Sequence, residues 1–263
     1  MKTVFLKEIQ NNIKSFIIWT CAVGFMGLLC TLMYKSMQGD MKTMADAFSN
    51  MGAFSDAFGM STLSIATLKG FFATEVGTVH GLGGAMFAAI LAVGIISKEE
   101  EGHSGEFLLS LPVTRNNVVA AKGICVAIML VAFTVICALL YAIGFVSLDE
   151  EVPVKELVTF MGMQLLMNLE IAAICFAISS LSWKNRMGLG IGIAMIFYFY
   201  DIMGRVVPDL KDYLFVGPFS FANASEIFSG SDLCVSGIVL SAVVIILGVA
   251  FSFIWYGKRD IAS

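Results

Sequence analysis

The sequence predicts an all-α integral membrane protein with six transmembrane helices, and three observations carry that prediction. Apolar residues make up 58% of the 263 positions and charged residues only 14%. Mean hydropathy is +0.88, far more apolar surface than a water-soluble domain of this size can bury, so lipid must cover the remainder. The apolar residues fall into runs of about 20, the length that crosses a hydrocarbon core about 30 Å thick.

Taken in order, residues 2–14 set Val4, Phe5, Ile9 and Ile13 against Lys2, Lys7, Glu8, Gln10 and Lys14, and read as a short amphipathic elbow on the inner membrane surface. Helix one follows over about 16–34. It is too long for a cleavable signal and has no small-x-small cleavage site before the polar loop. In the long first outer loop, Phe48, Met51, Phe54 and Phe58 recur at intervals of three and four, which predicts an interfacial helix or a solvated loop with scattered apolar residues. The remaining spans are expected at about 76–97, 123–146, 157–181, 187–207 and 233–256. Residues 208–232, with Gly217-Pro218-Phe219, are expected to fold against the membrane. The whole of 1–263 reads as one transmembrane domain with no soluble domain.

Charge supplies an orientation. With the N-terminus inside, ten Lys and Arg residues lie on the cytoplasmic side and six outside, and the tight 182–186 turn is basic while Asp149-Glu150-Glu151 opens the opposite side. The positive-inside rule then puts both termini in the cytoplasm of a multi-pass protein of the cell membrane. Five of the six cysteines lie inside apolar runs, Cys234 sits at the edge of the last, and none has disulfide or zinc spacing.

The inner loop at 98–117 is the most informative segment. Ser104 is placed to cap a short helix with Glu106 in its first turn, and Pro112 ends it. Phe107, Leu108 and Leu111 form an apolar knob on this charged loop. Such a knob fits a partner's groove or packs back on the membrane, and the residues alone leave both open.

The loop resembles the coupling loop of six-helix ABC-type exporter permeases. Glu99, Glu100, Glu101, Ser104, the run from Glu106 to Arg115, and Lys122 carry the resemblance, together with Gly217 to Phe221 before the last helix. His103 stands where that family more often has Gly. The resemblance implies a half-transporter: two permease subunits, identical or different, pair around a substrate path, and a separate ATPase that binds ATP and Mg docks on each coupling loop. Phe107, Leu108 and Leu111 are then the docking anchors, with Glu99, Glu100, Glu101, Glu106 and Arg115 orienting them. This chain has no G-x-x-x-x-G-K-[ST] phosphate loop, so no cofactor is expected in it, nor any nucleic-acid partner. Membrane lipid is its solvent.

Within helix four, Gln164, Asn168 and Glu170 lie in an apolar run. An ionised carboxylate at the bilayer centre costs about 2.5–3.5 kcal/mol, so Glu170 should face protein or water, as part of a transport path, a helix-coupling element or a simple interhelical bond. Positions 164 and 168 share a helical face and 170 lies to its side. Small residues Gly84, Ala88, Ala92, Gly188, Gly190 and Gly192 allow close helix approach. The competing readings are a membrane sensor or assembly scaffold without transport, and an intramembrane protease. For the latter, Tyr200-Asp201 has no Gly-x-Gly-Asp partner, and His80 and His103 are the only histidines.

Overall fold

A computed structural model describes residues 2–49, 51–57, 59–102 and 113–259. Among these, every regular element is helical, and six helices are long and apolar enough to cross a membrane. The spanning helices are α1 (Lys2–Ser49), α3 (Leu68–Val93), α5 (Arg115–Ser147), α6 (Val154–Leu181), α7 (Met187–Val206) and α9 (Val235–Lys258). Three short helices, α2 (Ala53–Ala57), α4 (Lys98–Glu101) and α8 (Ala224–Ser229), lie between them.

The expected elbow is not a separate element. No Gly or Pro interrupts residues 2–23, and the helix runs unbroken from Lys2 through the first apolar run to Ser49. Its 48 residues span roughly 72 Å, far more than the bilayer core, so both polar ends stand clear of the hydrocarbon. A single interfacial helix over 48–58 does not form either. Phe48 ends in α1, Phe54 falls in α2, and between them Gly52 adopts φ +52°, a left-handed turn that breaks the helix. Phe58 lies outside the described residues.

Two spans begin earlier than the apolar runs suggest. α3 starts at Leu68, where the Thr67 hydroxyl accepts from Gly70 N–H at 3.1 Å, and it passes through a π-helical turn at Phe72–Val76. α5 starts at Arg115 behind Thr114, whose hydroxyl accepts from Asn117 N–H at 3.2 Å. Lys69 and Lys122 hide these beginnings from an apolar count.

α3 and α6 form the centre. Buried residues make up 61% and 56% of their most apolar stretches, against 22% for α7 and 17% for α9. α6 packs against α3, α5 and α9; α3 also meets α1 and α7, and α1 lies along α5. Lipid tails are as apolar as leucine, so close packing and polar bonds must hold these helices together. Phe72 in the π turn supplies such packing, with ring centroids 5.6 Å from Tyr141, 5.0 Å from Phe145 and 5.3 Å from Phe228. His80 is fully buried beside it, stacked on Phe133, with Nδ1 2.9 Å from the Tyr141 hydroxyl. Ile17, Ile18, Leu29, Leu139, Ile246 and Ile254 are exposed and form the lipid-facing surface.

The segment after α7 folds onto the end of the bundle opposite the 98–117 loop. A 3-10 stretch, Pro208–Val216, leads into buried Phe219, Phe221 and Phe228. The Asn223 side chain caps α8 by accepting from Glu226 N–H at 3.1 Å.

Candidate functional site

The 98–117 loop leaves the bundle through a fixed stem. Where α3 ends, the Ser179 hydroxyl of α6 accepts from Ile96 N–H at 3.0 Å and Ser97 N–H at 3.3 Å. α4 then carries the three glutamates. Ser104, Glu106, Phe107, Leu108 and Leu111, with His103, lie outside the described residues, and the chain returns at Val113.

Lys122 is the centre of the stem. About two turns into α5, its side chain is fully buried, with Nζ 2.9 Å from Glu8 and 2.7 Å from both oxygens of Glu99, and it also donates to the Ile95 carbonyl. Glu8, 2% exposed, takes a second ion pair from Lys98. Two cations and two carboxylates thus cancel. Burial pushes the Glu99 carboxyl above its usual range, against the pull of Lys122. Such a cluster adds little net stability, but removing one member strands the others without water.

The neighbouring glutamates face different partners. Glu100, 5% exposed, pairs with Arg259 at the end of α9. Arg259 also donates to the carbonyls of Ser180 and Ser182 at the end of α6. Glu101 accepts from Asn185 N–H in the α6–α7 turn at 2.9 Å. Arg115 donates to the carbonyls of Tyr256 and Gly257, at 3.3 and 3.5 Å, and to that of Arg259, so a cation caps the negative end of α9. Of the residues assigned to docking, Glu99 and Glu100 therefore turn inward, Arg115 holds α9, and Glu101 is exposed while bonded to the turn. Sequence reasoning missed Glu8 and Arg259 as members. Their signal was weak: each belongs to a mixed run of charges at a helix end.

Gln164, Asn168 and Glu170 are buried, at 2%, 0% and 3% exposure, but the structure does not bring them into one site. Gln164 donates to the Ala222 carbonyl at 2.9 Å and ties α6 to the segment that follows α7. Asn168 faces α3 at Gly84, where an added Cβ would come within 2.8 Å of its amide nitrogen and displace it. Glu170 points to another side, beside Ser241 of α9. Among the small residues, Gly190 packs on Val93 and Ala88 and Ala92 are buried, whereas Gly188 and Gly192 have nothing within 4 Å of an added Cβ. Asp201 is held by Arg205 through two bonds of 2.9 and 3.1 Å.

A six-span apolar helical bundle whose 98–117 loop is braced at its base by ion pairs is a multi-pass membrane protein. The family model described as ABC-2 family transporter protein matches residues 2–261, so the chain belongs to the ABC-2 transporter family and is an ABC-type permease, a membrane component of transport. No individual curated protein matches it.

Proposed function

We propose that this permease is the membrane half of an exporter of the cell membrane, driven by a separate ATPase that docks on the 98–117 loop. Phe107, Leu108 and Leu111 are the anchors in the ATPase groove, flanked by Glu106 and Glu101. Glu99, Glu100 and Arg115 orient that loop from its base. ATP and Mg belong to the partner chain. A second permease subunit, identical or different, completes the substrate path, and both termini with Lys184 face the cytoplasm.

The observation that carries this reading is the brace. A loop tied through Lys122 to α1 and α5, through Arg259 to α6 and α9, and through Asn185 to the α6–α7 turn cannot move without moving those elements. A load applied to the knob by a docked partner is therefore delivered to most of the bundle. Buried apolar anchors dominate the energy of such interfaces, and rim charges contribute less.

Affinity purification in mild detergent tests it. An ATPase chain should co-purify with the wild-type permease and be lost from Phe107→Asp/Leu108→Asp, whose membrane part stays monodisperse. Full retention of the ATPase by the double variant rejects the docking role, and absence of any ATPase from the wild-type preparation favours a sensor or scaffold. For the topology, a single cysteine at position 103 in a cysteine-free background should resist an impermeant reagent added to intact cells.

A further inference from the structure

α6 and α9 run parallel, touch closely where Gly248 meets Ala173, and then part. At the crossing, a Cβ added to Gly248 would lie 2.9 Å from the Ala173 carbonyl oxygen, so the two backbones are in contact there. At the inner end they are rejoined by a polar latch, with Arg259 of the α9 end donating to the carbonyls of Ser180 and Ser182. Between these two fixed points the helices splay and leave an apolar groove of about 590 Å³, walled by residues such as Ile174, Ile178, Leu181, Leu247, Phe251 and Ile254. The eight to ten residues from crossing to latch rise roughly 12–15 Å, half the hydrocarbon thickness. The groove therefore spans one leaflet, on the Lys184 side.

Its mouth is basic and aromatic. Trp183 and Trp255, 58% and 45% exposed, stand on either side, where indole rings favour the headgroup level. Lys184, Arg186 and Lys258 are exposed around them, and Arg186 is steadied by donating to the Ser182 hydroxyl at 3.2 Å. Glu100 and Glu101 are the acids on the adjoining stem, and each is already engaged, with Arg259 and with Asn185 N–H.

We propose that this groove is a binding site for one anionic phospholipid of that leaflet, an acyl chain lying between α6 and α9 and the phosphate held by Lys184, Arg186 and Lys258. The charge at the mouth selects the headgroup, and the length of the groove selects a chain over a compact ligand. Because the same latch joins α9 to Glu100, a bound lipid would brace the foot of the loop. The site depends only on the membrane position of α6 and α9, so it stands or falls apart from the ATPase proposal.

The test is native mass spectrometry and thermal unfolding of the full chain in detergent, with phosphatidylglycerol or phosphatidylcholine of identical chains added. Wild type should retain and be stabilised by phosphatidylglycerol, with a preference of roughly fivefold for each basic side chain engaged. Lys184→Ala/Arg186→Ala/Lys258→Ala should lose the preference while still retaining either lipid weakly. Ala177→Phe/Ala250→Phe, which fills the groove, should lose both lipids while melting as wild type does without lipid. Should that variant fail to accumulate, phosphatidylglycerol brominated at mid-chain replaces it and should quench the tryptophans of a Trp19→Phe protein, more weakly in the triple-alanine background. Equal retention of the two lipids by wild type, unchanged retention in the filled groove, or no quenching overturns the proposal. So does efficient cross-linking between two Leu247→Cys chains in membranes, which would give this face to a second copy.

Discussion

The two ends of the bundle are held by different means. At one end an aromatic cap, Phe219, Phe221 and Phe228, sinks among the helices, and its ion pairs, Arg205 with Asp201 and Glu226, keep contact with solvent through a Glu226 side chain 37% exposed. At the other end, where the 98–117 loop emerges, packing gives way to a buried charge cluster in which Lys122 has no exposure and Glu8 has 2%. An apolar cap tolerates rearrangement by small steps, because its contacts have no preferred partner. A charge cluster does not: it is either closed or strongly destabilised.

The comparison predicts a gradient of mutational cost. Lys122→Met leaves Glu8 and Glu99 buried without their shared cation and should destabilise by about 3–5 kcal/mol, seen as a large drop in melting temperature in detergent. At the aromatic-capped end, Arg205→Met should cost less, about 1–3 kcal/mol, since Glu226 remains partly solvated. An Arg205 variant that melts below the Lys122 variant would reverse the comparison. Gly84→Val forces α3 off Asn168 and should cost about 1–3 kcal/mol by overpacking, measured the same way. Glu170→Gln keeps the shape and a hydrogen bond toward Ser241, so its stability should stay within about 1 kcal/mol of wild type; a shifted pH profile of ATP hydrolysis in proteoliposomes would instead give its charge a part in transport. The smallest effect belongs to Lys69→Ala, which removes an exposed 3.1 Å pair with Glu156 and should change stability by about 0–1 kcal/mol.

The spans were legible because a 20-residue apolar run has few alternatives at this composition. Each of the six recovered runs lies almost wholly inside its helix, and the polar extensions escaped: Lys2 to Lys14 and Lys35 to Ser49 in α1, Leu68 to Glu75, and Arg115 to Lys122. Those stretches are helical through caps and neighbours, which an apolar count does not register. The loop was legible as a resemblance, and the family match bears the resemblance out; its apolar knob lies outside the described residues. Its brace was not legible, because Glu8, Lys122 and Arg259 are far apart in the chain and a glutamate that pairs inward has the same letter as one that meets a partner. The offset of Glu170 from Gln164 and Asn168 was readable from helical spacing, and the three do face different neighbours.

The central claim is that Glu99 acts from within, as part of the brace that carries the loop's movement to the helices. Glu99→Gln decides it when ATPase binding and transport-coupled ATP hydrolysis are measured on the same reconstituted complex. The account predicts that the variant retains the ATPase at the wild-type level while coupled hydrolysis falls severalfold. Loss of the ATPase itself would instead make Glu99 a docking contact, and unchanged binding with unchanged coupling would leave the brace without a role in transmission.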